Sequence, residues 1–546
     1  MPWLQAYSPI RESTGLSAAV AVIPLAVVFV CLALLRTTVL RAAQAALASA
    51  LLIAVLIWHM PAGLVALAAA QGAAFGLFPV FYIVMASLFL FNLTVKGGQF
   101  DVIRASLAGV TPDRRLQAIL IAFCFGAFIE GAAGFGAPVV IAGATLVGLG
   151  FRPFYAAGVC LVANTAPVAF GTMGIPIVAI GGVLGLSDPE LMRLSAIVGH
   201  QLPLISLFIP AYLVLVVSGA RKTLEVLPAV AVTGGVFALC QWAVATYLGP
   251  YLPDMLASLA SMAALVGLLR FWRPPTVFRF EYDDPAAPEF PRYGPAEVLR
   301  AWMPYLLLTL LVLAWNIPAV KATLSRATVM LPVPLLDGGV ARPALSAGQT
   351  PSALGAKFKL DYLASGGSAV LLAAVLSAAL CQIRPLPAAR VLGRTLHEMR
   401  RPASAVACVL AMAYVMNLSG MTQCLGIFST HAGRFFPLVS PVLGWMGVVL
   451  TGSDTSSNVL FGSLQRSAAL SLGMDPLLAA SANTCGGVIG KMISPQSIAV
   501  ACAATGMVGQ EGMLLRFTLK HSLLLLAVIC VMTYLQAHAL AWMLPH

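Results

Sequence analysis

Residues 163–176 read ANTAPVAFGTMGIP and residues 482–495 read ANTCGGVIGKMISP. Both fit A-N-T-x5-G-x-M-x2-P, so that Asn164, Thr165, Gly171, Met173 and Pro176 are answered by Asn483, Thr484, Gly490, Met492 and Pro495. The match extends upstream: Leu149, Gly150, Pro153, Ala156 and Ala157 stand against Leu472, Gly473, Pro476, Ala479 and Ala480. The spacing from that Pro to the Asn is 11 in one copy and 7 in the other, a difference of roughly one helical turn. Each copy follows a Gly-rich apolar stretch with one carboxylate, GAFIEGAAGFGAPVV around Glu130 and GVVLTGSDTSSNVLFG around Asp454. Duplicated apolar segments interrupted by Gly and Pro point to the binding site of a membrane transporter.

Composition supplies the matching context. The chain is 60% hydrophobic and 9% charged, with a mean hydropathy of +0.95, against about 25% charged residues in soluble domains. Apolar runs of about 20 residues, enough to cross a bilayer, recur along almost its whole length. The net charge of +12 collects in short connections between those runs, which argues against a nucleic-acid partner. The 10 cysteines form no CxxC and no Cys/His ligand spacing, so they read as small core residues. No metal and no cofactor is expected.

The pattern predicts an all-α, polytopic helical membrane transporter with inverted repeats, each holding a re-entrant hairpin and a discontinuous helix. The expectation is about twelve crossings plus two hairpins. The first repeat, 1–218, has three spans, a hairpin at 116–150, a broken helix at 155–184 and one more span. Its third span, 63–95, is expected to break near 72–76. Residues 219–297 carry two linker spans and a polar segment with Arg273, Arg279, Glu281, Asp283, Asp284, Glu289 and Arg292. The second repeat, 298–546, has the same order, with a long loop at 318–360, a tenth crossing at 403–428, a hairpin at 436–470 and a broken helix at 477–505. Placing basic connections in the cytoplasm puts the N-terminus outside and inverts the two copies, one hairpin entering from each face.

Broken helices leave backbone N–H and C=O groups unpaired at membrane depth, where only a cavity or a ligand can satisfy them. Half-helix N-termini attract a carboxylate. The predicted substrate site therefore comprises Asn164, Thr165, Gly171, Asn483, Thr484, Gly490 and Ser453, with the Asn-Thr pairs at the breaks; the plainer alternative is that they only cap a kink. Lys491 occupies the slot held by Thr172 in the first copy. It reads either as the ligand of a substrate carboxylate or as the neutralising partner of Asp454. Charges inside a membrane are costly and mark function, which makes Glu130 and Asp454 the candidates for proton coupling. Asp454 is flanked by Ser453, Thr455, Ser456 and Ser457, hydroxyls suited to hydrogen-bond its ionised form, whereas Glu130 lies among Ile129, Gly131 and Ala132. His200, His431 and His521, near span ends, read as interfacial or satisfied histidines.

The stretches GAFIEGAAGFGAPV, AAGVCLVANTAPVAFGTMGIPI, GHQLPL, LTGSDTSSNVLFGSLQ, GKMISPQSIAVACAATG and RFTLKHS together resemble the L-lactate permease family of bacterial carriers, from about residue 60 to the C-terminus. The resemblance implies L-lactate, D-lactate and glycolate as substrates, uptake by proton symport, and a multi-pass protein of the bacterial inner membrane. Its expected partners are a small monocarboxylate, protons and the lipid bilayer, with a homodimer as the candidate assembly. Sodium coupling with a dicarboxylate is the competing transport reading, because Asn-Thr breaks also suit sodium. An enzyme is not expected, since no nucleophile–base constellation or phosphate loop is present.

Overall fold

The computed structural model describes residues 2–545 except 36, 135, 282–290, 292 and 344–351. Asp283, Asp284, Glu289 and Arg292 of the polar linker lie outside the described residues. Among the described residues, 11 helices are long and apolar enough to cross a membrane, or up to 13 with two bent pairs counted as spans. Two of the 11, Arg114–Ala132 and Met421–Thr451, supply the first arms of the two expected hairpins. Helix also covers the expected ninth crossing, in the 15-residue Gly366–Leu380.

One succession of elements appears twice. Thr14–Leu32, Val39–Leu56 and Ala62–Lys96 precede a hairpin, the broken helix Pro153–Ala163 plus Val168–Leu184, and the long helix Asp188–Ser218. Pro295–Asn316, Gly366–Leu380 and Pro385–Ser419 precede a second hairpin, the broken helix Pro476–Ile493 plus Pro495–Thr505, and Glu511–Ala537. In both sets the third helix has 35 residues, roughly 50 Å of helix against a hydrocarbon core of about 30 Å.

The packing between the sets is reciprocal. Ala62–Phe75 and Tyr82–Lys96 lie along Pro385–Ser419, which also packs on Val39–Leu56, while Tyr82–Lys96 packs on Gly366–Leu380. The second hairpin arm of each set, Ala137–Gly148 or Asp454–Ser471, packs on the second piece of the other set's broken helix. Two further helices, Leu227–Tyr247 and Pro253–Phe271, pack together and close over Asp188–Ser218 and Gly126–Ala132.

Three expectations need correction. The third span breaks at Gly76–Phe81, not at 72–76: Phe78 is non-helical and Pro79 follows it, removing a backbone donor. Gly72 serves close approach instead, since a Cβ there would lie 2.5 Å from the Leu410 carbonyl oxygen, the small-residue contact typical of helices packed in lipid. The expected tenth crossing, 403–428, is offset, because one helix runs from Pro385 to Ser419 and takes in the basic segment before it. It stops at Gly420, whose φ of 92° suits a residue without Cβ. Finally, 318–360 is more than a loop. It holds the helix Pro318–Ser325 and short strands, with Val329–Pro332 antiparallel to Lys357–Leu360 and Val340–Arg342 parallel to Trp3–Leu4.

The polar corner at the base of the first hairpin is fully satisfied. Arg115 is buried and gives its guanidinium to both carboxylate oxygens of Asp113, to Glu225, and to the carbonyls of Lys222 and Thr276. The Phe278 N–H donates to Asp113 as well. This network ties the hairpin to both ends of the linker spans. The Thr276 hydroxyl and Arg115 hold the Glu225 carboxyl below its usual range.

Candidate functional site

Pro167 decides the geometry of the first break. Proline lacks an N–H and pushes the preceding residue out of the helical region, so the helix ends at Ala163, with Asn164 as its cap. The two pieces bend by 66°. Beyond the break, Thr172, Met173 and Gly174 have φ of 46°, 59° and 71°. A β-branched residue in this left-handed region costs about 1–3 kcal/mol, and here the turn is held from outside: the Thr172 hydroxyl donates to the Ala133 carbonyl at 3.3 Å. Ala133 belongs to the turn of the first hairpin, which reverses through Gly134 and Gly136 at φ of 60° and 85°.

The second copy has Cys-Gly-Gly where the first has Ala-Pro-Val. Its helix therefore continues through Asn483 and Thr484 to Gly490, and the break falls at Ser494 before Pro495, with a 42° bend. The expectation that both Asn-Thr pairs sit at breaks is thus corrected for the second copy. Asn483 Nδ2 and the Thr484 hydroxyl donate to Asn458 Oδ1 at 2.9 and 3.1 Å, and Gln465 Nε2 donates to Asn483 Oδ1 at 3.1 Å. Asn458 in turn donates to the Pro176 carbonyl at 3.1 Å. A buried amide network of this kind fixes the helices it joins.

A cavity of about 600 Å³ opens between the two sets of helices. Glu130, Gly171, Thr172, Ser453, Asp454 and Lys491 line its inner part, and Arg41, Gln44 and Arg401 lie exposed at its mouth. Within it Lys491 Nζ donates to Glu130 Oε1 at 2.7 Å, with Glu130 buried at 3% side-chain exposure. The Lys491–Asp454 pair weighed from the sequence is not formed. Nor do the neighbouring hydroxyls serve Asp454 as expected: Ser453 caps the Ser456 N–H and Ser457 donates to the Gly444 carbonyl. Both Asp454 carboxylate oxygens are buried without a hydrogen-bond partner among the described residues.

Each hairpin carboxylate lies against a glycine of its own broken helix. A Cβ at Gly171 would stand 2.8 Å from Glu130 Oε1, and one at Gly487 would stand 2.2 Å from Asp454 Oδ1. Gly490 serves backbone packing instead, with its would-be Cβ 2.5 Å from the Trp445 carbonyl oxygen. Asn164 and Thr165 flank a smaller gap beside Lys491 and Ser497, and Asn164 Oδ1 has no partner among the described residues. Thus Glu130, Asp454, Lys491, Gly171 and Ser453 meet at one cavity, Asn164 and Thr165 adjoin Lys491, and Asn483, Thr484 and Gly490 do not line it.

Sequence reasoning missed Asn458, Gln465, Asp254 and Gln241. Asn458 and Gln465 stand seven positions apart on a hairpin arm, a spacing that shares one helix face and would have shown the amide pair. Asp254 carried no such signal. It is buried at the start of Pro253–Phe271.

A sequence profile described as L-lactate permease matches residues 17–540. An L-lactate permease of Bacillus subtilis (strain 168) is 48% identical, covering 100% of both chains. An L-lactate permease of Escherichia coli (strain K12) is 44% identical, again over 100% of both. A glycolate permease of the same organism is 44% identical over 99% of each chain.

Proposed function

The chain belongs to the L-lactate permease family, and on that premise we propose that it takes up L-lactate and related 2-hydroxy-monocarboxylates, D-lactate and glycolate, by proton symport across the bacterial inner membrane. The observation that carries this reading is the Glu130–Lys491 pair inside the cavity.

The pair supplies a rule for coupling. With Glu130 ionised, Lys491 is neutralised from within and offers no free charge to an anion. Protonation of Glu130 frees Lys491, whose ammonium then takes the substrate carboxylate in its place. The empty carrier and the carrier holding proton plus anion have the same net charge in the cavity. A bound anion without its proton, or a proton without its anion, leaves an uncompensated buried charge, which costs several kcal/mol. Only the matched states reorient cheaply. Thr172 and Ser453, which line the same cavity, supply hydroxyls for the substrate 2-hydroxyl.

The twice-used element order and the reciprocal packing support two repeats, 1–218 and 298–546, inverted across the membrane, with 219–297 as linker. Arg41 and Arg401 at the mouth belong to basic connections, so the positive-inside tendency makes this an inward-open state, with its cations drawing carboxylates toward the site. Purified protein in vesicles, given lactate under an imposed pH gradient or an imposed sodium gradient, tests the proposal. Accumulation driven by pH alone is the expected result; accumulation that needs sodium would replace proton symport by sodium coupling.

A further inference from the structure

Behind the cavity stands a second carboxylate. Asp254 is 1% exposed and does not line the cavity. Its Oδ1 accepts from Gln241 Nε2 at 3.1 Å, and its Oδ2 is buried without a partner among the described residues. Gln241 is itself fixed, accepting from the Ser206 hydroxyl at 2.8 Å and donating also to the Ala166 carbonyl, within the first break, at 3.1 Å. No cation faces Asp254 among the described residues. The ionisable group nearest on the packed hairpin helix is Glu130, and Leu227–Tyr247 contributes only Cys240 and Tyr247 of that kind. Hairpin and linker helix meet closely at this point: a Cβ on Gly131 would lie 3.2 Å from the Asp254 Cβ. Gly131 follows Glu130 in the chain, and Glu130 Oε2 is likewise buried without a partner among the described residues. Two neighbouring carboxylates therefore each keep one oxygen free of any donor among the described residues.

Resting on the symport reading above, we propose that Asp254 is the proton relay that loads Glu130 from the side of the protein opposite the cavity mouth. The step moves one proton from Asp254 Oδ2 to Glu130 Oε2, directly or through one water. Asp254 becomes the carboxylate, held by the Gln241 amide, and Glu130 becomes the acid, which releases Lys491 to the substrate. Asp254 regains its proton through the turn 248–252, which the charge distribution places outside. The arrangement gives the proton a route separate from that of the substrate, which enters and leaves by the cavity.

Vesicles carrying the full chain test this, with Asp254→Asn and Asp254→Glu compared with the parent for lactate counterflow, for uptake under an imposed pH gradient, and for the pH profile of uptake. Asp254→Asn should keep counterflow within about threefold of the parent while pH-driven uptake falls at least tenfold. Asp254→Glu should restore pH-driven uptake with a displaced pH profile, which a packing role would not produce. Equal pH-driven uptake by Asp254→Asn and parent would overturn the relay, as would loss of counterflow and pH-driven uptake in equal proportion in both variants. If the parent itself shows no pH-driven uptake, it is the symport reading that fails, so the two failures are distinguishable.

Discussion

Lys491 Nζ donates to Glu130 Oε1 at 2.7 Å across 361 positions of sequence, joining the break of one helix to the hairpin of the opposite set. The contact is the one ion pair that lines the cavity among the described residues. It joins the two opposite charges inside the cavity.

Lys491→Gln is expected to raise the half-saturating lactate concentration by at least tenfold, because a hydrogen bond to a charged group contributes about 1.5–3 kcal/mol and every 1.4 kcal/mol is about tenfold. Glu130→Gln added to Lys491→Gln removes the stranded buried carboxylate and should restore protein yield without restoring uptake. Concentration-dependent uptake by both variants measures this. An unchanged half-saturating concentration in Lys491→Gln rules out its role as substrate ligand.

Glu130→Gln mimics the protonated side chain permanently. Lactate counterflow should persist in vesicles, while accumulation under a pH gradient should fall to the level reached without one. Accumulation equal to the parent's would exclude Glu130 as the coupling group.

Gly487→Ala forces a methyl onto Asp454 Oδ1 and onto Val448, 2.9 Å away. Overpacking of this kind costs about 1–3 kcal/mol, and the shifted carboxylate should slow transport severalfold. Gly148→Ala, with nothing within 4 Å of the added atom, is the matched control. Similar unfolding temperatures and uptake rates for the two variants would show that Gly487 is not needed for close approach.

Arg115→Met strands buried Asp113 and should destabilise the protein by about 3–5 kcal/mol, read as a lower unfolding temperature in detergent. Glu225, bound in the same network, has a carboxyl held below its usual range, so it stabilises the fold above its unfolded pKa. That contribution is lost as pH falls through the lower folded value. The Thr276 hydroxyl stays on Glu225 in the Arg115→Met variant, so the variant should lose part of this acid sensitivity, and an unaltered acid response would disconnect Arg115 from Glu225.

Much of the fold was legible because lipid imposes strict rules on sequence. Apolar run lengths marked the crossings, and carboxylates set among glycines marked both hairpins. The repeated Asn-Thr was less informative than it looked, since helix breaking was decided elsewhere: in one copy by Pro167, which lies outside the shared letters, and in the other by Pro495, the shared proline twelve positions past the Asn. Partner choice was not legible either. Lys491 reaches Glu130 and not Asp454 because the broken helix of one set packs against the hairpin of the other, a relation that no local spacing encodes. Asp254 was hidden for the same reason.

The separation of Glu130 from Lys491 also bears on how the protein is made. At about 5–20 residues per second, roughly 20–70 s pass between the synthesis of the two residues. Throughout that interval the first hairpin holds an acid whose permanent counter-charge does not yet exist. For most of it the second hairpin and the other broken helix are also still to be made. The nascent first half therefore cannot complete its own packing in lipid, and Glu130 has to wait near water or against the insertion machinery. Arrested chains ending between the two residues should consequently be more open to protease at the first hairpin than chains that extend past Lys491.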